Sequence, residues 1–265
     1  MEYEGQLAKL ASKIDDSNKV QYSLPLSDKL VHLNPLIGKN VLLEYLGAIH
    51  CTHCERKIKK SFNGGYCFPC VRSLACCDIC IVKPELCHYE KGTCREPSWG
   101  ESNCMIDHTI YLANSSGLKV GITRSHQRMT RWIDQGASAA IPIATVKKRL
   151  DAGLIEVQLS QVLADKTNWR KMLSGPAEPI DLLKARADAL SELKASDIWE
   201  PATDDVTNIE YPVVQYPQKI KSLNLEKTAV IEGKLLGIKG QYLIFDTGVL
   251  NVRKYSGYSL KLALP

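Results

Sequence analysis

The sequence predicts an α+β protein with three parts: a cysteine-rich zinc module, an α/β core, and a small β-barrel-like domain built from both termini. All ten cysteines fall between Cys51 and Cys104. Strand-like and helix-like stretches alternate through 108–175, and glycine-punctuated alternation of hydrophobic residues fills the tail. These three observations divide the chain into predicted segments at 1–50, 51–107, 108–175, 176–205 and 206–265.

Composition limits the classes of protein that the chain can be. Its 265 residues suggest about two domains, by a prior of ~150 residues each. With 45% hydrophobic and 24% charged residues it can bury a core. It contains no apolar run near the ~20 residues of a membrane-spanning helix, and no membrane partner is expected. The polar N-terminus lacks an apolar signal region, so we expect a cytoplasmic protein.

The first segment is expected to supply strands that pack with the C-terminal ones. Residues 1–21 are polar and predict a short helix or a frayed arm. Residues 40–50 roughly alternate apolar and polar side chains, which predicts a strand ending at His50.

The cysteine block begins with two pairs of CxxC spacing. Cys51 and Cys54 form the first pair, and Cys67 and Cys70 form the second after twelve intervening residues. Each pair places two thiolates on one tight turn, and two such turns supply the tetrahedral sulfur set that Zn²⁺ prefers. We therefore predict a structural zinc site, with Phe62 and Phe68 packing beside it.

A second four-ligand site is expected among the six remaining cysteines. Spacing does not select its members: one option uses Cys77 and Cys80 as a third CxxC pair, and an iron–sulfur cluster is a further option. The candidate ligands are Cys76, Cys77, Cys80, Cys87, Cys94, Cys104, His88 and His108.

The α/β core begins with a predicted β-hairpin. Matching the apolar faces of TIYLA and LKVGIT by placing Leu112 opposite Leu118 requires a five-residue loop. That register puts Tyr111 opposite Lys119 and Thr109 near Gly121. The other face of the hairpin is thus expected to carry a phenol, an ammonium and a bare glycine.

Helix, strand and helix follow the hairpin. We predict helices at 126–136 and 148–164 around a strand, IPIATV. From Lys119 to Arg149 there are seven Lys or Arg residues against one acid, a density that suits a phosphate backbone. The predicted nucleic-acid contacts are Arg124, Arg128, Lys147, Lys148 and Arg149. Glu156 is a lone carboxylate among aliphatic residues.

The last two predicted segments, 176–205 and 206–265, differ in the spacing of their apolar residues. Leucine and alanine at helical spacing predict a helix from 183 to about 198, followed by an acidic linker. The tail predicts three or four antiparallel strands with tight turns, which could close one small barrel with the N-terminal strands.

The order of motifs in 108–175 resembles the core of GIY-YIG nucleases. Thr109-Ile110-Tyr111 stands for the first motif and Lys119-Val120-Gly121 for the second, with Lys119 in place of a second tyrosine. Arg131 matches the arginine of the following helix, and Ala152 and Glu156 match the later helix.

The resemblance implies a catalytic set of Tyr111, Lys119, Arg131 and Glu156. Glu156 would hold one Mg²⁺ or Mn²⁺ ion, which keeps several waters and binds the phosphate. Tyr111 would act as general base, Arg131 would neutralise the scissile phosphate, and Lys119 would hold phosphate.

A longer string, from CIVKPELCHYEKGTCR to the GIKGQYLIFDTGVLNVRKYSGY tail, resembles an uncharacterised bacterial family known only as a domain of unknown function. That resemblance favours Cys80, Cys87, Cys94 and Cys104 as the second metal set, giving two structural Zn²⁺ ions in all.

Three function classes remain open from the sequence. The first is a metal-dependent endonuclease acting on DNA or RNA. The second is a zinc-stabilised module that binds nucleic acid or the ribosome without chemistry, and the third is a scaffold for protein partners. Salt-sensitive nucleic-acid binding would separate the first two from the third.

Overall fold

A computed structural model describes residues 1–164, 166–193 and 198–264. The chain forms two compact units. The first contains Met1–Val71, Leu173–Gly175 and Ile209–Pro265, and the second contains Arg72–Met172 and Pro176–Asn208. The cysteine-rich segment predicted at 51–107 is therefore divided between the two units.

The strands, in chain order, are β1 (Glu2–Gln6), β2 (Ala11–Ile14), β3 (Val20–Leu26), β4 (Lys29–His32), β5 (Asn40–His50), β6 (Lys57–Ile58), β7 (His108–Asn114), β8 (Leu118–Arg124), β9 (Ala139–Val146), β10 (Glu200–Pro201), β11 (Thr207–Asn208), β12 (Val230–Lys239), β13 (Tyr242–Phe245), β14 (Gly248–Asn251) and β15 (Tyr258–Ala263). The helices are α1 (Phe68–Ser73), α2 (Pro97–Asn103), α3 (Arg128–Asp134), α4 (Arg149–Leu159), α5 (Trp169–Leu173) and α6 (Leu182–Glu192).

The main sheet of the first unit joins the two ends of the chain. Its order is β1-β15-β5-β12-β13-β14, with β6 on β5, and its strands run antiparallel. N-terminal and C-terminal strands therefore lie in one sheet, with β1 paired to β15. The helix or arm predicted for residues 1–21 is wrong, because Tyr3 pairs with Leu262 and the first residues form a strand on β15.

This sheet does not close into the predicted barrel within the described residues. Its edge strands, β1 and β14, do not pair with each other. The outer edge of β14 is instead occupied by the preceding loop, since the N–H of Val249 donates to the carbonyl of Lys221 at 2.8 Å. A separate antiparallel sheet, β2-β3-β4, completes the strands of this unit.

The second unit is built on an antiparallel sheet of order β10-β9-β7-β8, with β11 also on β9. One face of this sheet packs on α4 and α6 through a core that includes Ile110, Leu112, Ile155 and Leu182. Burial of such aliphatic side chains contributes about 1.5–3 kcal/mol each. The predicted acidic linker is partly wrong, because β10 and β11 pair with β9.

The predicted helices of the second unit are present but shorter. The helix expected at 126–136 is α3 preceded by a 3-10 turn, and the helix expected at 148–164 ends at Leu159. The helix expected from 183 is α6, capped by the Asp181 carboxylate, which accepts the Lys184 N–H at 2.9 Å. The helix ends at Glu192 and so before the predicted end at about 198; residues 194–197 lie outside the described residues.

None of the helices in the described part of the chain has the length and apolarity that a bilayer-spanning segment needs.

Candidate functional site

Four cysteines of the first unit converge beyond the end of β5. Cys51 and Cys54 form one turn, and Cys67 and Cys70 lie at the start of α1. Their four sulfur atoms all lie within 4.8 Å of one another. The turn is tight, since a Cβ on Gly65, whose φ is +135°, would lie 2.6 Å from Thr52 Cγ2.

The geometry of these sulfurs fits a tetrahedral zinc ion. With Zn–S bonds of about 2.3 Å, tetrahedral sulfurs lie about 3.8 Å apart. Cys54 Sγ and Cys67 Sγ are 3.8 Å apart. Four thiols of this chemistry close a coordination shell, so the cluster could hold a structural zinc ion and leaves no position for a substrate.

Backbone amides prepare one of these sulfurs to carry negative charge. Burial alone would raise the pKa of Cys51, but backbone N–H groups of Cys54, Cys67 and His53 lower it to about 6. The Cys67 N–H donates to Cys51 Sγ at 3.2 Å. The neighbouring thiols and burial raise the pKa of Cys70. A thiol that is a thiolate near neutral pH is ready to bind a metal ion.

Aromatic and cationic side chains surround this four-cysteine cluster. Phe62 and Phe68, the two phenylalanines expected beside the cysteine pairs, contact each other with tilted rings whose centroids are 5.7 Å apart. Lys60 Nζ lies 5.4 Å from the Phe62 ring. The loop between the two cysteine pairs is largely exposed and carries four cations, Arg56, Lys57, Lys59 and Lys60.

The second unit contains a small cavity, of about 10 Å³, that is lined in part by cysteines. The predicted set lines it together: Cys80, Cys87, Cys94 and Cys104. Burial raises the pKa of Cys80 to about 11 and that of Cys104 to about 12, and the neighbouring thiols add to both shifts. The cavity gathers the four cysteines that the family resemblance favours.

The tightest group of ligand atoms at this cavity is a different one. Asp78, Cys80 and His88 place their ligand atoms within 4.8 Å of one another. Asp78 also forms an ion pair with Arg95, whose Nε lies 2.6 Å from Asp78 Oδ2. Sequence reasoning missed Asp78, although its place inside the CDIC motif was a usable signal.

Three further candidate ligands from the sequence, Cys76, Cys77 and His108, do not line this cavity. Cys76 and Cys77 have sulfur atoms 4.0 Å apart. His108 is fully buried, and its Nδ1 donates to the carbonyl of Ile106 at 2.7 Å. Its Nε2 has no hydrogen-bond partner, so His108 is a core histidine of β7.

The β7–β8 hairpin carries the predicted phenol, ammonium and glycine on one face, but in another register. Leu112 opposes Val120, and Tyr111 opposes Gly121. The predicted pairing of Tyr111 with Lys119 is wrong, because the turn has three residues and the strands slide by two. A shift of two residues keeps every side chain on its face, so the apolar match is equally good.

Gly121 makes room for the phenol across the hairpin. A Cβ on Gly121 would lie 2.6 Å from Tyr111 Oη and 2.8 Å from its Cζ. The Tyr111 side chain is fully buried, and its hydroxyl donates to Gln135 Oε1 at 2.9 Å. Its ring lies edge-on to Trp132 with centroids 5.9 Å apart.

The structure brings Tyr111, Arg131 and Glu156 into one electrostatic neighbourhood. Burial raises the pKa of Tyr111, and the charge of Glu156 adds to that rise. Arg131 opposes it through its charge and a hydrogen bond, and Gln135 opposes it through its hydrogen bond. Glu156 is half-buried and Arg131 is exposed, so a charged ligand could reach both of them.

Lys119 belongs to the same face of the hairpin. It opposes Ala113 and is 4% exposed. The strand that carries it forms a parallel bridge to Ala164, beyond the end of α4.

The predicted nucleic-acid-contact residues are each engaged within the second unit. Lys147 pairs with Asp107 at 3.2 Å, Lys148 pairs with Glu90, and Arg128 pairs with Asp204 at 3.0 Å. Arg124 donates to the carbonyl of Asn103 at 3.1 Å, and Arg149 donates to that of Ile81 at 2.8 Å. These contacts offset part of the positive charge counted in the sequence.

Comparison with known proteins gives a family and no activity. A family model described as a protein of unknown function (DUF2797) matches residues 38–260. No curated protein and no solved structure matches the chain significantly.

Proposed function

Because the chain belongs to the DUF2797 family of proteins of unknown function, its activity must follow from its own residues, and we propose that it is a zinc-stabilised, nucleic-acid-interacting endonuclease with a GIY-YIG-like core. In this proposal Tyr111, Arg131 and Glu156 support hydrolysis of a phosphodiester bond by water, and Glu156 would hold a divalent ion. The zinc sites hold the fold and take no part in the chemistry.

One observation carries this proposal: Arg131 and Glu156, on two different helices, both lie close enough to Tyr111 on β7 to shift its pKa. Gly121, the glycine of the second motif, leaves space for the Tyr111 phenol because it has no side chain. The order of elements, two strands, helix, strand and helix, is the order that the GIY-YIG resemblance implies. Motif order and spatial convergence are separate observations that support the same site.

The proposed roles follow from charge and position. Arg131 is exposed on α3 and would bind the scissile phosphate, neutralising charge as it develops. Tyr111 would orient and deprotonate the attacking water, with Gln135 and Arg131 holding the phenol oxygen. Since burial raises the Tyr111 pKa, proton removal from this phenol depends on the nearby positive charge of Arg131.

Glu156 is the residue that would hold a divalent ion. Glu156 is a half-buried carboxylate within α4, and a carboxylate that is still partly exposed can keep water around a hard cation such as Mg²⁺ or Mn²⁺. When bound, the ion supplies Lewis-acid stabilisation of the leaving oxygen.

The first unit offers a second surface for nucleic acid. Four exposed cations lie between the cysteine pairs, Arg56, Lys57, Lys59 and Lys60, and Lys60 lies 5.4 Å from the ring of Phe62, which contacts Phe68. Cations beside aromatic rings suit a phosphate backbone with adjacent bases. A zinc ion on the four-cysteine cluster would stabilise this loop, which is too short to build its own core.

A second function is favoured by the burial of the phenol. Tyr111 is 0% exposed. A base that is sealed from solvent cannot meet a water molecule unless the residues packed around it move. A module that binds nucleic acid without cutting it requires no such movement, and Lys119 in place of a second tyrosine agrees with that role.

The deciding experiment is cleavage of labelled single-stranded, duplex and branched DNA and RNA by zinc-replete protein, with and without Mg²⁺ or Mn²⁺. Glu156→Gln and Arg131→Gln should each abolish cutting. Glu192→Gln, which removes an exposed carboxylate of α6, is the matched control and should cut normally.

Equal cutting by Glu156→Gln and the control would refute the proposed site. Salt-sensitive binding without any cutting would replace the endonuclease with the binding module. Absence of both binding and cutting would reject both functions.

A further inference from the structure

A groove of about 720 Å³ lies on the first unit, between the 215–221 segment and strands β12 to β14. Its volume is within the range of about 300–1,000 Å³ that ligand sites occupy. Three lysines line it, Lys219, Lys221 and Lys234, and so do Tyr216 and Phe245. The groove therefore combines positive charge with aromatic surface.

The charge of the groove is unbalanced. Lys219, Lys221 and Lys234 are exposed, and none of them forms an ion pair with another described residue. The one carboxylate in the lining, Asp246, accepts the backbone N–H of Lys234 at 3.0 Å. Three ammonium groups against one carboxylate leave an excess of positive charge that an anion would balance.

A fourth lysine lies behind the wall of the groove. Lys239 is 1% exposed, and its Nζ lies 5.3 Å from the ring centroid of Tyr216 and 5.6 Å from that of Tyr211. It forms no ion pair within the described chain. Burial lowers the pKa of Lys239 to about 8, so it is still mostly cationic at neutral pH. A buried cation without a carboxylate is costly, and a bound anion nearby would offset that cost.

We propose that this groove binds a single-stranded nucleic acid, with Lys219, Lys221 and Lys234 on its phosphates and Tyr216 as a stacking surface for a base. Lysine binds phosphate as a mobile point charge, which suits a backbone without fixed geometry. Aromatic rings inside a cationic groove are the usual arrangement for unpaired bases, which a duplex does not expose. The groove proposal rests on the proposed function only in taking nucleic acid as the ligand.

The test is fluorescence anisotropy with a labelled 12-nucleotide single strand, using full-length zinc-replete protein without Mg²⁺, across a series of salt concentrations. The groove variant changes Lys219, Lys221 and Lys234 to glutamine. The matched control changes three exposed lysines elsewhere to glutamine: Lys29, Lys184 and Lys227. All six side chains are exposed, and circular dichroism verifies that both variants fold.

Loss of three phosphate contacts should reduce the salt slope of the log binding constant by about 2 and weaken binding about 100-fold at 0.1 M salt. Tyr216→Ala should weaken binding of the single strand about tenfold, whereas Tyr216→Trp, which keeps an aromatic ring, should bind it like the wild type. The control variant should bind like the wild type.

Each other outcome overturns a distinct claim. Equal affinity of the groove variant and its control would reject the groove even if the protein binds nucleic acid elsewhere. Equal competition by a duplex of the same sequence would reject the single-strand assignment. Groove-dependent binding without Mg²⁺-dependent cutting would keep the groove and reject the endonuclease, whereas no binding by the wild type would reject both.

Discussion

Replacing Gly121 by alanine tests the contact on which the candidate site depends. The new Cβ would lie 2.6 Å from Tyr111 Oη and 2.8 Å from its Cζ, closer than nonbonded carbon atoms approach. Gly121 is in the middle of β8, where alanine is an acceptable backbone residue. The substitution therefore changes the fit to Tyr111 and leaves the strand conformation compatible.

The expected cost comes from two sources. Overpacking a filled core typically costs about 1–3 kcal/mol. Displacing the ring also breaks the 2.9 Å hydrogen bond from Tyr111 to Gln135, a loss of about 1 kcal/mol. We therefore expect Gly121→Ala to lower the free energy of unfolding by about 2–4 kcal/mol, and Tm by roughly 5–10 °C.

Urea unfolding of zinc-replete protein, followed by circular dichroism and by tryptophan fluorescence, measures this cost. Gly175→Ala is the control, because a Cβ there would meet no atom within 4 Å. The Tyr111→Phe exchange adds a second arm. Phenylalanine lacks the hydroxyl oxygen, which is the Tyr111 atom closest to the new Cβ. The loss of unfolding free energy caused by Tyr111→Phe should therefore be about 1 kcal/mol smaller in the Gly121→Ala background than in the wild type.

If Gly121→Ala and Gly175→Ala were equally stable and the two exchanges at Tyr111 and Gly121 were additive, Tyr111 could not lie opposite Gly121. The alternative register, with Tyr111 opposite Lys119, predicts that result. The measurement therefore decides between the two pairings of the hairpin.

Three further changes have defined outcomes. Cys67→Ser should remove one equivalent of zinc by elemental analysis and lower stability, whereas Cys76→Ser should not reduce the zinc bound by the first unit. The pKa of His108 is lowered from 6.5 to about 4, chiefly by burial. Between those pH values only the unfolded chain binds the proton, so stability should fall by about 3 kcal/mol as pH drops from 6.5 to 4; a His108→Gln protein with the same pH dependence would exclude this cause. Gly153→Ala should cost about 1–3 kcal/mol in urea unfolding, because its Cβ would collide with the backbone of Glu85, and unchanged stability would mean that α4 packs elsewhere.

The hairpin shows what alternation can and cannot predict. Ile110, Leu112 and Val120 identify the face that packs against α4 and α6, because side chains alternate across a strand. Alternation has a period of two, so it cannot distinguish registers that differ by two residues. The three-residue turn decides between them, and its geometry is not written in the apolar pattern.

The N-terminal strand was missed for a different reason. Residues 2–6 carry no strong periodicity of their own, and they become a strand by pairing with β15 at the opposite end of the sequence. Strand formation depends largely on neighbours in the sheet, and local composition does not reveal such a partner.

The metal ligands divide in the same way. Two CxxC pairs are local signals, and Cys51, Cys54, Cys67 and Cys70 do converge. The second set depends on how turns at 79–81 and 84–86 fold, so the place of Asp78 beside Cys80 could not be derived from spacing. Similarly, the acids that neutralise Lys147 and Arg128 are distant in sequence and invisible to a local charge count.

The division of the chain into two units constrains the order in which its parts can fold during synthesis. Between Val71 and Ile209 nearly all residues belong to the second unit. Strand β5 ends at His50 and its partner β12 begins at Val230, so β5 must wait for β12 while about 180 residues are synthesised. The second unit and the four-cysteine turn beside β5 are both local in sequence and can form during that interval. The main sheet of the first unit, by contrast, can form only after nearly the whole chain has been synthesised, because its central strand β5 pairs with β12 and β15.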